Sequence, residues 1–241
     1  MKKSSLALII LLGLFIVCLV GSVLIFKNQY NHIDKTDPFW NYTKLAKGDF
    51  HHIVLKGGNI TKASFVPGSH GSIGVLSHME QPMKDRVQAT ITDDTLFVEV
   101  KKSDDPPGMR NWMKYHVLIA ISCPELLSVN AANSNLDLYK LRQKNLSIQL
   151  TGNSKMEIES SIADFDSLSV SQKDSTQVKF EMSEDMKSSG IMHTKALYAQ
   201  VQGYSILDVG HFQIQSFHPF IKDSSAIVLS GQTLKAMRNF Q

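Results

Sequence analysis

The chain is predicted to be all-β and folded as a single-stranded parallel β-helix behind an N-terminal transmembrane helix. Three observations carry that prediction. A 13-residue pattern recurs five times between residues 126 and 229. After residue 50 no segment holds a sustained 3.6-residue apolar period, so strands rather than helices are expected there. Finally, residues 6–26 run for 21 positions without a charge.

The apolar run, LALIILLGLFIVCLVGSVLIF, has no polar stripe of the kind a soluble helix would show. At 1.5 Å per residue it covers about 30 Å, the hydrocarbon thickness of a bilayer. A cleaved signal would need a shorter core and a small-residue cleavage site. Val20-Gly21-Ser22 fits that poorly, and Val23-Leu24-Ile25-Phe26 continues past it. Three bulky residues, Phe15-Ile16-Val17, precede Cys18, so there is no lipobox. An uncleaved single-pass anchor is therefore expected, with a cleaved signal as the rival. Lys2 and Lys3 lie on one side and Lys27 on the other. The positive-inside bias puts the tail of residues 1–5 in the cytoplasm and the rest across the inner membrane, in a periplasmic or other extracytoplasmic space.

Outside Lys2 and Lys3 there are 23 basic and 22 acidic residues. Near-cancelling charge without a basic block excludes a nucleic-acid partner. Cys18 lies in the apolar run and Cys123 is alone in the exported part, so no intrachain disulfide joins them. Cys123 reads as a small buried apolar residue.

Residues 27–49 are polar and aperiodic and contain a proline, as a linker would be. Phe39, Trp40 and Tyr42 in it suit either a lipid headgroup zone or the edge of the folded domain. From residue 50 strands follow closely. RVQATI and TLFVEV alternate around Thr92-Asp93-Asp94, which predicts a hairpin. DDPPGMRN at 104–111 reads as an exposed loop, because proline lacks the ladder donor.

The repeat is LLSVNAANSNLDL (126–138), LSIQLTGNSKMEI (146–158), LSVSQKDSTQVKF (168–180), LYAQVQGYSILDV (197–209) and FHPFIKDSSAIVL (217–229). Starts are 20, 22, 29 and 20 residues apart, the longest interval holding an insertion around 181–194. Self-similarity at such a period points to stacked repeats. One apolar column is Leu127, Leu146, Leu168, Leu197 and Phe217. A second is Leu136, Met156, Val178, Leu207 and Ile227, and a third Leu138, Ile158, Phe180, Val209 and Leu229. Residues two apart on a strand share a face, so these columns should line one interior. Between them stands a hydroxyl column: Ser134, Ser154, Thr176, Ser205 and Ser225. A sandwich of antiparallel hairpins would explain the strands but not the matching columns.

With its anchor, first strand pair and knots such as Gly152-Asn153-Ser154 and Gly203-Tyr204-Ser205, the chain resembles the head GIN domain family. CPELLSV at 123–129 looks like that family's proline-then-leucine entry to its repeats. Asp174 and Asp223 stand where the pattern has glycine, and Ala132 in the first repeat. The resemblance covers residues 50–231 and implies a right-handed β-helix and an exported location. The family is described as candidate auto-transporter adhesins of Bacteroidetes-type envelopes and offers no catalytic residues. The residues left over, 232–241, read as a C-terminal tail.

A nucleophilic role for one of the five hydroxyls would need a neighbouring base and an oxyanion hole. Five equivalent copies without S-x-x-K or G-x-S-x-G context point instead to a structural role. The outward column Asp137, Glu157, Lys179, Asp208 and Val228 raises the question of Ca²⁺. Lys179 interrupts it, and Ca²⁺ takes six to eight oxygens. His51 and His52 are expected on opposite strand faces. N-x-S/T sequons begin at Asn41, Asn59 and Asn145 and matter only in a eukaryotic secretory pathway. No catalytic, cofactor-binding or metal residue is assigned. The expected function is a membrane-anchored, non-catalytic binding or scaffold module whose ligand is an envelope protein or a glycan. The alternative is a carbohydrate-active enzyme using Asp137 and Glu157.

Overall fold

The computed structural model describes residues 3–33, 39–58, 61–79, 81, 83, 85–102, 108, 113, 115–141, 143–160, 164–182, 192–210, 212–231 and 233–234. Sequon Asn59, nearly all of the 104–111 loop and most of the 181–194 insertion lie outside them. Two compact units are present, Met1–Trp40 and Asn41–Gln241.

The first unit is one helix, α1 (Lys3–His32). It extends six residues beyond the apolar run because Lys27-Asn28-Gln29-Tyr30-Asn31-His32 contains no breaker. Within it Ala7–His32 is long and apolar enough to cross a membrane, with a mean hydropathy of 3.2 over its most apolar window. Leucine, isoleucine, valine and phenylalanine side chains stand exposed on all its faces. A membrane anchor and a signal sequence both fit such a helix.

The second unit is two sheets. One has nine strands: β1 (Tyr42–Lys47), β4 (Ser72–Leu76), β7 (Val117–Ser122), β3 (Lys62–Phe65), β9 (Asn135–Leu141), β11 (Asn153–Ser160), β13 (Ser175–Met182), β15 (Ile206–Asp208) and β17 (Ala226–Val228), in that spatial order. The other has eight: β16 (Phe212–Ile221), β14 (Met192–Val201), β12 (Asp164–Gln172), β10 (Asn145–Thr151), β8 (Ser128–Ala132), β2 (His52–Gly57), β6 (Thr95–Val100) and β5 (Val87–Thr92).

This overturns the expected all-β, single-stranded parallel β-helix. The chain has one long helix and two large mixed sheets, mostly parallel, an α/β-type arrangement. β1 pairs antiparallel with β4, β4 with β7, and β5 with β6. Strand order departs from chain order too, since β2 sits between β6 and β8 and β3 between β7 and β9. The cause lies before the repeats. Asp93 and Asp94 both take positive φ, 45° and 63°, as a two-residue hairpin turn requires. That turn folds β6 back on β5, where a coil with one strand per turn would have moved on.

Within residues 126–229 the repeat cadence sets the parallel register. Leu146, Leu168, Leu197 and Phe217 stand in line across β10, β12, β14 and β16. Met156 lies between Leu136 and Val178, and Leu207 between Val178 and Ile227. All of these are buried except Phe217 and Ile227, which are partly covered on the two edge strands β16 and β17. One column member differs. Leu127 is 38% exposed and Leu126 is buried in its place. β8 begins only at Ser128, so strand alternation does not govern residue 127. Cys123 is fully buried, and burial pushes its thiol up to about 12.

Candidate ligand groove

The corners joining the two sheets are built from one backbone requirement. Gly57, Asn133, Gly152, Asp174, Gly203 and Asp223 all take positive φ, between 52° and 77°. An L side chain there costs about 1–2 kcal/mol, and only Gly, Asn and Asp visit the region routinely. Asp174 and Asp223 are therefore chemical equivalents of the corner glycine. In the first repeat Asn133, not Ala132, holds the position.

The corners are also bonded to one another. The Gly152 N–H donates to Asp174 Oδ2 at 2.9 Å, and the Gly203 N–H to Asp223 Oδ2 at 3.2 Å. Asn133 Oδ1 accepts from the Asn153 N–H at 3.0 Å.

Next to each corner stands a hydroxyl. Ser134, Ser154, Thr176 and Ser205 are buried. Ser134 donates its backbone N–H to Ser154 Oγ at 3.1 Å, and Ser154 donates its hydroxyl to Thr151 O at 2.7 Å. Thr176 Oγ1 donates to Ser205 Oγ at 3.0 Å and accepts from Gln172 Nε2 at 3.1 Å. Ser225, on the edge, donates to the Lys222 and Val201 carbonyls at 2.6 and 2.8 Å. Among the described residues every partner of these five is backbone, another hydroxyl or the Gln172 amide. Sequence reasoning missed a sixth member. Lys62 pairs with Asn135, which sets the buried Thr61 beside Ser134. The signal was Thr61-Lys62-Ala63-Ser64-Phe65, which matches Ser154-Lys155-Met156-Glu157-Ile158 in pattern.

On the outward side of these corners lies a concave groove of about 360 Å³. It is lined by Asn153, Ser154, Ser175, Thr176 and Tyr204 and by Asn135, Lys155, Gln177 and Ile206 of β9, β11, β13 and β15. The last four share one cross-strand row, because Asn135 pairs with Lys155, Lys155 with Gln177 and Gln177 with Ile206. Tyr204 is 76% exposed and Ile206 is 43% exposed. The groove thus offers an aromatic ring, amides and hydroxyls, with Lys155 as its one charged group.

Lys155 is held from beside the groove. Its ammonium donates to Glu157 Oε1 at 2.6 Å. Lys62 pairs with Asp137 and lies 3.5 Å from Glu157. Tyr139 donates its hydroxyl to Asp137 Oδ2 at 2.7 Å. Burial pushes the Asp137 carboxyl above its ordinary value despite Lys62 and Tyr139. The hydrogen bond from Lys155 holds Glu157 below the usual range. Burial would lower the Lys62 ammonium, yet Asp137 and Glu157 hold it above its ordinary value. Asp137 is thus the buried member of the outward column, and the cation between it and Glu157 is the Lys62 ammonium. Further along that column Lys179 pairs with Glu181.

His51 and His52 do not diverge as the sequence suggested. His51 precedes β2, so alternation does not bind it, and both rings approach Asp94. His51 Nδ1 lies 2.7 Å from Asp94 Oδ1, and His52 Nε2 lies 3.8 Å from Asp94 Oδ2.

No protein-family profile matches the chain, and no curated protein does. Solved structures do. A candidate adhesin from Bacteroides fragilis is 13% identical, covering 78% of this chain and 94% of its own, with a TM-score of 0.39. A candidate adhesin from Parabacteroides merdae is 12% identical over the same shares, also at 0.39. A candidate lipid-binding protein from Parabacteroides distasonis is 14% identical, covering 78% and 95%, at 0.35. None of the three is described as a head GIN protein. Similarity this distant carries no function across.

Proposed function

We propose that the chain is a non-catalytic binding module tethered to a membrane by α1, and that its groove takes a neutral glycan. The single observation that carries this reading is the chemistry of the groove walls. An exposed aromatic ring beside Asn153, Gln177 and Ser175 offers a stacking face and side-chain donors and acceptors, which is what a polyhydroxylated ring needs. Its volume lies within the range of small-molecule sites. In this reading Lys2 and Lys3, ahead of the apolar run, stay in the cytoplasm and the sheets face the exported side of a cell envelope, where the role is adhesive.

The test is binding of the full chain, in neutral detergent, to an array of neutral oligosaccharides. Tyr204→Ala should weaken any binding found by about tenfold, the loss of one stacking contact and its burial. Tyr204→Phe should keep most of it. A bound glycan indifferent to Tyr204→Ala would overturn the groove assignment.

The enzyme reading has one observation in its favour. Asp137 and Glu157 are register neighbours whose titrations are pushed apart, a pattern suited to an acid and a base. Asp137, however, is only 3% exposed, and Lys62 and Tyr139 occupy its carboxylate. Asp137→Asn and Glu157→Gln should therefore leave glycan binding intact, and loss of a glycan-cleaving activity in either would revive the enzyme reading.

A further inference from the structure

A second concavity, of about 340 Å³, lies at the corner that joins β2, β6 and β8. Lys56, Lys101, Lys102 and Glu99 line it together with Gly57, Gly58, Val100 and Asn133. Three of these residues are cationic and one is anionic.

Lys62, Lys155, Lys179 and Lys195 each hold a carboxylate. Lys56, Lys101 and Lys102 form no ion pair with any described residue. Glu99 is the register partner of Lys56 across β2 and β6, yet no ion pair closes between them. Three like charges around one hollow repel one another, and an anion seated among them would relieve that repulsion.

Two glycines let this corner close tightly against Val100 of β6. Gly57 and Gly58 both take positive φ, 74° and 83°. A Cβ at Gly57 would collide with the Val100 carbonyl oxygen, and one at Gly58 would sit 3.2 Å from Val100 Cγ2.

We propose that this concavity is an anion site that seats a phosphate group between Lys56, Lys101 and Lys102. Ammonium groups bind phosphate as point charges, so the site reads charge rather than a fixed geometry. Glu99 opposes the anion and sets an upper limit on affinity. The phosphate comes either free in solution or on a lipid headgroup. The site does not depend on the Tyr204 groove binding a glycan.

The test uses the full chain in neutral detergent, with three probes: inorganic phosphate, a short-chain phosphatidylglycerol, and phosphatidylcholine of the same chain length. Inorganic phosphate should bind and raise the melting temperature by mass action. Phosphatidylglycerol binding without inorganic phosphate binding would assign the phosphate to a lipid. Phosphatidylcholine, whose choline cancels the charge, should bind about tenfold more weakly than phosphatidylglycerol. The triple variant Lys56→Gln, Lys101→Gln, Lys102→Gln should lose binding by at least about tenfold, and salt should weaken what remains. Without a probe that variant should melt no lower than the wild type, because the three side chains are exposed and repel one another. Glu99→Gln should tighten binding. The proposal is overturned if neither anion binds, or if binding is the same in the triple variant and in Glu99→Gln as in the wild type.

Discussion

Asp174 accepts the backbone N–H of Gly152 from the neighbouring repeat, at 2.9 Å. Both residues occupy the same left-handed corner, at φ of 73° and 69°. Along residues 133–223 the corner runs Asn133, Gly152, Asp174, Gly203, Asp223, an alternation of side chain and no side chain. The reason is space. A Cβ at Gly152 would stand 2.5 Å from Asn133 Oδ1, and one at Gly203 would collide with the Asp174 backbone. The Asn133 side chain thus fills the room that Gly152 leaves, and the Asp174 backbone the room that Gly203 leaves.

Gly152→Ala should therefore destabilise the fold by more than the about 1–2 kcal/mol that a left-handed alanine costs alone, since the Asn133 amide must also move. Asp174→Asn keeps both the conformation and an acceptor, and should cost a few tenths of a kcal/mol, about the surface average. Asp174→Ala loses both and should cost about 2 kcal/mol, the strain plus one hydrogen bond. Denaturant melts of the three variants rank these terms, and an Asp174→Ala variant as stable as Asp174→Asn would remove the alternation as their cause.

Much of this region was legible because its signals are local. Corner glycines, hydroxyls and apolar columns all repeat at short spacing, so the columns predicted the register of β9 to β17 without a partner being known. Asp174 looked like a departure only because glycine was taken as the rule instead of left-handed backbone. What lay beyond the sequence depends on distant pairing. Thr61 belongs to the hydroxyl column, but Gly57-Gly58-Asn59-Ile60 is a longer approach than the later knots have, and it hid the match. Lys62 meets Asp137 only because β3 is inserted beside β9. The Asp93-Asp94 turn was visible as a hairpin, yet its consequence, a mixed sheet and not one continuous coil, appears only when β5 and β6 are placed.

The hydroxyl column should act on stability alone. Ser154→Ala removes the hydrogen bond to Thr151 and the acceptor of the Ser134 N–H, and should cost about 1–2 kcal/mol. Ser205→Ala should cost more, about 1–3 kcal/mol, because the Thr176 hydroxyl and N–H both lose their acceptor in a fully buried site. Glycan or phosphate binding measured beside the melts should not move, and a folded Ser154→Ala variant without binding would assign that serine to a site.

Met156 tests the apolar columns directly. It is fully buried between Leu136 and Val178, and Met156→Asp would bury a charge with no partner. Circular dichroism should show no cooperative transition for this variant, whereas Met156→Leu, close in volume, should melt within about 1.5 kcal/mol of the wild type.

Cys123 should be inert in the native protein. Its thiol is fully buried and is pushed up to about 12 by that burial, so almost no thiolate is present at neutral pH. Ellman's reagent should titrate Cys123 in the full chain only after denaturant is added. To remove Cys18 from the count, the comparison is made in a Cys18→Ser background. Labelling in native buffer at the rate of a free thiol would mean that the strand end at Ser122 opens.

Asp137 and Glu157 should pull the pH dependence of stability in opposite directions. Glu157 titrates below its ordinary range in the folded chain. Its contribution is present above the unfolded carboxylate value and fades as pH falls through its lowered folded value. Asp137 titrates above its ordinary range because it is buried. Its contribution is full below the unfolded carboxylate value and is lost as pH rises through the raised folded one. Asp137→Asn removes that second loss while keeping an acceptor for Lys62 and Tyr139. The stability deficit of Asp137→Asn against the wild type should therefore shrink from pH 3 to pH 7, read by denaturant melts at each pH. Glu157→Gln should show the reverse, with a deficit that grows over the same interval. Lys62→Met should be the costliest of the set, about 3–5 kcal/mol at neutral pH, because it leaves the Asp137 carboxylate buried beside Glu157 with no cation. Pairing it with Asp137→Asn should recover most of that loss. A double variant no better than Lys62→Met alone would show that the Lys62 stem, and not its charge, holds this end of β3.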